Sequence, residues 1–306
     1  MTPAAHIAAA IEILDLILAG ERAETSLTKW GRSNRFAGSG DRNSIRDIVY
    51  DALRQKNSLT KRSKKISGRS WIIALLKKSE VNFDDYFGSS KYSPPKIKEW
   101  ELDLLPIEND SDLHDIPDWL WPKWKASLGR KASDVANTLK ERANIFLRVN
   151  IAKCARKDAI EALQKNGIIS KVHPSVSTAL IVDEKTRNIK NSEAYNLGLV
   201  ELQDASSQAS VLQLSTGQIG PILDYCSGGG GKALALNAYL KKPVFAYDTN
   251  FFRMKDLPRR ATRSGADIRI IKSNDLKNCY YGLVFCDVPC SGSGTWRRDP
   301  EGKWSI

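Results

Sequence analysis

Between residues 221 and 288 the chain repeats one arrangement: a short apolar run that ends in an acid and gives way to a polar or helical stretch. Pro221-Ile-Leu-Asp-Tyr-Cys226 is the first run, carrying Asp224, and Val244-Phe-Ala-Tyr-Asp248 is the second. Ile268-Arg-Ile-Ile-Lys272, closed by Ser273-Asn274-Asp275, is the third. The fourth, Tyr281-Gly-Leu-Val-Phe-Cys-Asp-Val288, delivers Asp287 and is apolar enough to be covered on both faces. Such runs, with the helical Leu234-Ala-Leu-Asn-Ala-Tyr-Leu240 after the first, predict an open α/β sheet. Ligands of these sheets bind beyond the carboxyl ends of the strands, which is where the acids fall.

Two loops on that rim carry chemistry. Ser227-Gly228-Gly229-Gly230-Gly231-Lys232-Ala233 joins the first strand to its helix. Strand, glycine loop and helix start bring backbone N–H groups beside a ligand's charged or polar atoms. This is not a Walker phosphate loop, because Lys232 is followed by Ala233, and it is not a clean dinucleotide fingerprint. A glycine run alone is weak evidence. Asp248 stands where a ribose-binding carboxylate belongs, since its two oxygens can accept from both sugar hydroxyls. The second loop is Asp287-Val-Pro-Cys290-Ser-Gly-Ser-Gly-Thr295. A carboxylate and a thiol three residues apart, set by a proline and two glycines, suit a flat, electron-poor ring such as a pyrimidine. The competing reading is a turn whose cysteine merely packs. Cys226, beneath the glycine loop, reads as strand packing.

Taken together with Glu201-Leu-Gln-Asp-Ala-Ser-Ser207 and the continuation to Trp296-Arg297-Arg298-Asp-Pro300, these motifs resemble the RsmB/Sun (Fmu) family. That family comprises S-adenosylmethionine-dependent RNA cytosine-5 methyltransferases. The resemblance is firm from about residue 140 to 306 and looser before it. It implies a Rossmann-like class I methyltransferase core with an incomplete sheet, preceded by an all-helical domain and a small α/β RNA-binding-like subdomain. By the same likeness the stretch Asp224, Cys226, Ser227, Gly228, Gly229, Gly230, Gly231 and Lys232 lies on the cofactor side. Its Ser227–Gly231 backbone would face the methionine end of S-adenosylmethionine. Asp248 would hold the ribose, Asp275 the adenine amino group and Asp287 the cytosine N3 edge, while Cys290 would help release the product. The partner implied is structured RNA, ribosomal before transfer RNA. A specific role for Lys232 does not emerge.

The chemistry has its own logic. Cytosine C5 is too weak a nucleophile to attack a methyl sulfonium directly. A thiolate adding at C6 turns the ring into an enamine whose electron density sits at C5. A hydrogen bond at N3 stabilises the developing charge, and the base must leave its stack. In the family the attacking cysteine belongs to a later Thr-Cys motif, and the sheet has seven strands. Up to Ile306 neither that motif nor more than four strands can be read. Three explanations compete: an incomplete copy of a longer enzyme, a catalytically inactive RNA binder, or attack by Cys290 itself as in DNA cytosine methyltransferases. The first is favoured, and it expects the fourth strand to form a greasy sheet edge.

The remaining sequence fits an RNA enzyme of a reducing compartment. Net charge is +12 and the isoelectric point about 9.4, which favours an anionic partner. Cys154, Cys226, Cys279, Cys286 and Cys290 form no Cys-x-x-Cys pair, and the three histidines are scattered, so no metal is expected. No signal peptide or bilayer-length stretch is legible, and the cytoplasm and a monomer are the expectations. Four parts follow: a helical domain over 1–80, linker and helices over 81–143, a small α/β subdomain over 144–200, and the core over 201–306. Helices are predicted over Pro3–Ala19, Asp41–Gln55 (capped by Asp41) and Trp71–Lys78, with Lys29–Gly40 a loop whose Trp30 and Phe36 are core. The run Lys61-Arg62-Ser-Lys64-Lys65 is a candidate RNA contact or a solvated face, and Arg297 and Arg298 are candidates for phosphates. Trp119, Trp121 and Trp124 are read as packing against the catalytic domain, and the unit with Ile145–Asn150, Asp158–Asn166 and Thr178–Val182 as β-α-β.

Overall fold

The computed structural model describes residues 1–306 except 183–185, 187, 188, 218, 279 and 306, so Cys279 lies outside the described residues. The chain divides into two compact units, Met1–Ala143 with Cys290–Ile306, and Asn144–Pro289.

The first unit is helical. Its helices are α1 (Pro3–Leu18), α2 (Ala23–Ser33), α3 (Ser39–Arg54), α4 (Lys56–Arg62), α5 (Gly68–Lys77), α6 (Asp110–His114), α7 (Trp121–Leu128) and α8 (Ala132–Lys140). Thr2 caps α1 by accepting from the Ala5 amide at 3.2 Å, with Pro3 at the first helical position. Ile7, Ile13, Leu14, Ile45, Val49, Trp71, Ile72 and Ile73 make the main core. Two expectations change here. Lys29–Arg32 belong to α2 rather than a loop, and Trp30 is core while Phe36 is 74% exposed. Asp41 does not cap α3 from its end but sits inside the first turn, accepting from the Gly38 amide at 2.9 Å. Residues from Cys290 onward, inside the core predicted over 201–306, cluster with this unit. The reason is local: Trp296 stacks on Trp124 (6.3 Å), the Arg297 carbonyl accepts from Arg54 Nε at 2.8 Å, and Glu301 accepts from the Ala23 amide at 3.1 Å. Of the three clustered tryptophans, Trp121 is buried with Ile116, Ala132 and Ala136 of its own unit, and Trp119 is exposed.

The second unit holds two sheets. The first is antiparallel, in the order β2-β3-β1-β4, from β1 (Ile145–Val149), β2 (Ser170–Val172), β3 (Ala179–Val182) and β4 (Val200–Leu202). Here α9 (Arg156–Lys165) and α10 (Glu193–Asn196) pack, and Leu147, Val149, Leu163 and Leu180 fill the core. The strand β4 thus places Glu201 in the small sheet, just before α11 (Ala205–Leu212). The second sheet is parallel, in the order β7-β6-β5-β8, from β5 (Ile222–Asp224), β6 (Val244–Ala246), β7 (Ile268–Ile270) and β8 (Leu283–Phe285). All four apolar runs are strands, shorter than their sequence patterns. Between them run α12 (Gly231–Leu240) and α13 (Leu257–Ser264). Central β5 is fully buried, as parallel strands covered on both faces must be. The strand β8 ends the sheet's order and leaves Val284 50% exposed, the apolar edge the pattern foresees.

In the helical unit, Gly68 lets α5 meet α1: a Cβ there would lie 2.4 Å from the Ile11 carbonyl oxygen and 2.9 Å from Leu14 Cβ. Gly68→Ala is therefore expected to cost about 1–3 kcal/mol in denaturant unfolding, the usual penalty for overpacking. Gly40→Ala, in open space within α3, should change stability by less than about 1 kcal/mol, in the stabilising direction. Equal midpoints for the two variants would contradict the close approach.

Candidate functional site

The parallel sheet gathers the predicted acids on one unit. Asp224 closes β5, and Asp248 follows β6 by two residues. Asp275 opens the turn after β7, and Asp287 follows β8. Their burial differs, and so does the work each carboxylate already does.

Asp224 is fully buried, and neither of its carboxylate oxygens has a hydrogen-bond partner. The nearby Ser227 hydroxyl donates to the Asp224 main-chain oxygen instead, at 3.0 Å. Burial pushes the Asp224 carboxyl up to about 6; the Ser227 hydroxyl and the Ala233 amide, near the carboxylate but outside good hydrogen-bond geometry, and the Lys232 ammonium oppose that rise, while Asp287 adds to it. A buried, unanswered carboxylate is costly, and such costs concentrate at functional sites.

Asp248, 5% exposed, accepts from the Gly228 amide at 2.8 Å and the Asn250 amide at 2.9 Å, and pairs with Arg253 at 3.4 Å. It therefore ties the glycine loop to β6 and keeps acceptor capacity for a further donor. Asp275 is exposed and accepts from the Lys272 amide at 2.9 Å, which folds its own turn. Asp287 is exposed and receives the Lys232 ammonium at 2.5 Å. Lys232, whose role the sequence left open, thus spans from the start of α12 to the end of β8.

The glycine loop is shaped by two left-handed residues, Gly228 (φ 51°) and Gly230 (φ 79°). A Cβ on Gly230 would lie 2.1 Å from Leu257 Cδ1, so the loop can pack on α13 only without a side chain there. Gly231 begins α12, whose Ala- and Leu-rich surface is buried nearly all round and holds the helix start fixed. Ser227 donates its amide to the Tyr247 carbonyl at 2.9 Å, stitching the loop between β5 and β6. Cys226 is half-buried, and burial raises its thiol above the ordinary range, with Cys286 nearby adding to the effect. That thiol is poorly placed to ionise, in keeping with a packing role.

The remaining site predictions fall elsewhere. Cys290 belongs to the helical unit, where its exposed thiol accepts from the Gly292 amide at 3.4 Å. Arg297 donates to the Glu141 and Arg142 carbonyls at 3.3 and 2.5 Å, so its guanidinium serves the tail's own packing. Arg298 is exposed. In the basic run, Lys61 pairs with Asp112 at 3.6 Å and Lys64 with Asp103, while Arg62, Lys64 and Lys65 border a cleft of about 350 Å³ shared with Asp15, Glu101 and Asp103. Acids thus answer part of the run's charge. Sequence reasoning passed over Arg253 and Arg260, both against the glycine loop; Arg260 and Arg263, three apart on one helix face, were the available signal. Among the described residues no group of three or more His, Cys, Asp or Glu could hold a metal, and no helix is long and apolar enough to cross a membrane.

Two family models match. Residues 116–189 fit the ferredoxin-like domain of RsmF/B-like methyltransferases, and residues 209–306 fit the model described as 16S rRNA methyltransferase RsmB/F. The ribosomal RNA small subunit methyltransferase B of Cronobacter sakazakii is 28% identical over 195 residues, 61% of this chain and 45% of that protein. The protein of the same name from Yersinia pseudotuberculosis is 26% identical over 213 residues, 67% of this chain and 49% of its own. The chain spans about half the length of the curated relatives it matches. Among solved structures, PH0851 superposes with a TM-score of 0.70 at 19% identity, covering all of this chain and 79% of its own. A methyltransferase homolog protein from Pyrococcus horikoshii gives 0.53 at 21%, covering 60% and 63%. At these identities the likeness speaks for the fold, a Rossmann-like core of the methyltransferase type.

The raised Asp224 carboxyl has a signed consequence for stability. Its folded value of about 6 exceeds the unfolded value, so the folded state holds the proton more tightly. Stability is therefore lost as pH rises from about 4 to about 6, and the cost stands in full above that window. Asp224→Asn is expected to raise unfolding free energy at pH 7.5 by about 1–3 kcal/mol, with the gain vanishing below about pH 4. A destabilised variant at pH 7.5 would contradict the unpartnered carboxylate.

Proposed function

The chain belongs to the RsmB/Sun family of methyltransferases, and from that premise we propose that it transfers a methyl group from S-adenosylmethionine to C5 of a cytosine in structured ribosomal RNA. The observation that carries the reading is the buried carboxylate of Asp224 beneath the glycine loop, with neither oxygen in a well-formed hydrogen bond and no cation in direct contact. An ammonium group is the partner such a site lacks, and the donor's amino-acid end carries one. The residues present also suit the rest of that molecule.

Asp248 keeps acceptor capacity for ribose hydroxyls while its backbone contacts hold it still. Asp275, on the neighbouring strand end, is open to an exocyclic amine. The glycine loop admits a ligand close to its backbone because Gly228 and Gly230 adopt conformations that side chains resist. When bound, S-adenosylmethionine supplies an electrophilic methyl on a sulfonium.

On the base side, the Lys232–Asp287 pair offers what the cytosine edge requires. The ammonium can donate to N3, and the carboxylate can accept from the N4 amine. A thiolate adding at C6, the part the family gives to a Thr-Cys motif not read in residues 1–306, raises electron density at C5; the charge that reaches N3 would be stabilised by the Lys232 ammonium, while Asp287 holds the N4 amine and orients Lys232. Cys290 is assigned to the release of the product, and the basic run and Arg298 to phosphate contact.

Titration calorimetry with S-adenosylmethionine should show one-to-one binding, weakened about tenfold or more in Asp224→Asn, a loss of at least about 1.4 kcal/mol. Tritiated donor and a small-subunit rRNA transcript, followed by nucleoside analysis, then test the chemistry. Label in 5-methylcytidine supports the reading, and label in any other nucleoside overturns the C5 assignment. Donor binding without label would reject catalysis by residues 1–306 and leave the incomplete-enzyme and RNA-binding readings. No binding at all would remove the donor.

A further inference from the structure

The glycine loop is gripped from α13 by a cluster of guanidinium groups that the reaction scheme above does not use. Leu257, fully buried, seats the first turn of α13 against Gly230. One turn on, Arg260 donates through Nη1 to the Gly229 carbonyl. Its nitrogens lie 3.2 Å from the position a Cβ would take on Gly229 and 3.8 Å from that on Gly231. The Gln203 amide nitrogen lies 3.6 Å from the same Gly231 position. Arg260 thus borders the loop at the start of α12, where amide donors also gather.

The charges of this cluster do not balance. Glu201, 5% exposed, is the carboxylate that answers it. One of its oxygens takes Arg263 at 2.5 Å, and the other takes Arg260 at 3.5 Å. Arg263 is also stacked on Tyr195, 3.7 Å above the ring, which fixes it as the structural member. Arg148, 4% exposed, donates to the Gln203 carbonyl oxygen at 2.6 Å. Burial pulls the Arg148 guanidinium down to about 10, with Glu201 opposing and Arg260 reinforcing that fall. Among the described residues, the guanidiniums of Arg148, Arg260 and Arg263 thus gather around the Glu201 carboxylate in a largely buried place, Arg260 and Arg263 in direct contact with it. Arg260 holds the longer contact to it and keeps about a fifth of its side chain exposed. Arg253, on the other side of the loop, differs: its charge is met one-to-one by Asp248.

We propose that Arg260, braced by Glu201, determines specificity for the carboxylate of the methyl donor's amino-acid end, its guanidinium pairing with that carboxylate beside Gly229 and Gly231. This rests on the donor reading given above. It completes a zwitterion site: Asp224 answers the ammonium and Arg260 the carboxylate. Arg–carboxylate pairing is the strong, geometrically selective form of such a contact, and the unbalanced charge around Glu201 supplies the reason for an anion there.

The test compares S-adenosylmethionine with decarboxylated S-adenosylmethionine, which differ only in the carboxylate, by calorimetry on the full chain. The unaltered protein should prefer the carboxylated donor by about tenfold or more. Arg260→Ala should weaken S-adenosylmethionine to the level of the decarboxylated compound while leaving the latter within about twofold. Arg260→Lys, which keeps the charge, should restore part of the preference. Equal weakening of both ligands would assign Arg260 to loop structure alone and overturn the proposal, as would an undiminished preference in Arg260→Ala. If the unaltered protein binds the decarboxylated compound alone, or both equally, the carboxylate assignment fails while the donor pocket stands. If it binds neither, the donor reading fails, and the proposal with it.

Discussion

A carboxylate buried in full, with no well-formed hydrogen bond to either oxygen, is the feature around which the second unit is arranged. Asp224 closes the central strand of a parallel sheet, where neighbours on both sides exclude water. The backbone around it is satisfied: Tyr247 donates to its carbonyl, and the Ser227 hydroxyl does too. Only the side chain is left unanswered. A fold that tolerates such a group spends stability on it, and the compensating gain is a partner that arrives from outside.

The glycine loop follows from the same geometry. To pass from β5 into α12 over a buried acid, the chain turns through two left-handed residues and presses on Leu257. That contact brings α13 against the loop and with it Arg260, while Asp248 holds the loop from β6. The strand end on the other side contributes Asp287, oriented by Lys232. A cation, an anion and a buried acid thus surround one short backbone segment, in the proposed reading at the two ends of a zwitterionic donor and at the edge of a base.

Much of this was legible before any coordinates. The four apolar runs with terminal acids are strands because their β-branched and aromatic residues suit a covered sheet, Arg269 on β7 being an exposed exception, and the parallel order follows from the helices between them. What the sequence could not supply was pairing across distance. Lys232 reads as an isolated lysine until α12 and β8 set it beside Asp287. Arg260 and Glu201 are 59 positions apart in number and meet only because β4 joins the small sheet. Locally, Trp30 and Phe36 looked alike as aromatics in a polar stretch. Trp30 falls on the inward face of α2, while Phe36 lies in the turn beyond the helix end at Ser33 and stands in solvent, a boundary that the glycines and charges nearby obscured. The tail from Cys290 carries contacts the motif does not announce: Trp296 stacks on Trp124 and Glu301 accepts from the Ala23 amide.

The most direct test is the carbon-13 chemical shift of the Asp224 carboxyl, followed by NMR across pH in the free protein and with saturating S-adenosylhomocysteine. The free protein should titrate this group near 6, and ligand should drop it below the ordinary carboxylate range by placing an ammonium against it. A carboxyl that already titrates near the ordinary aspartate value of 3.8 in the free protein, or one indifferent to saturating ligand, would contradict the account.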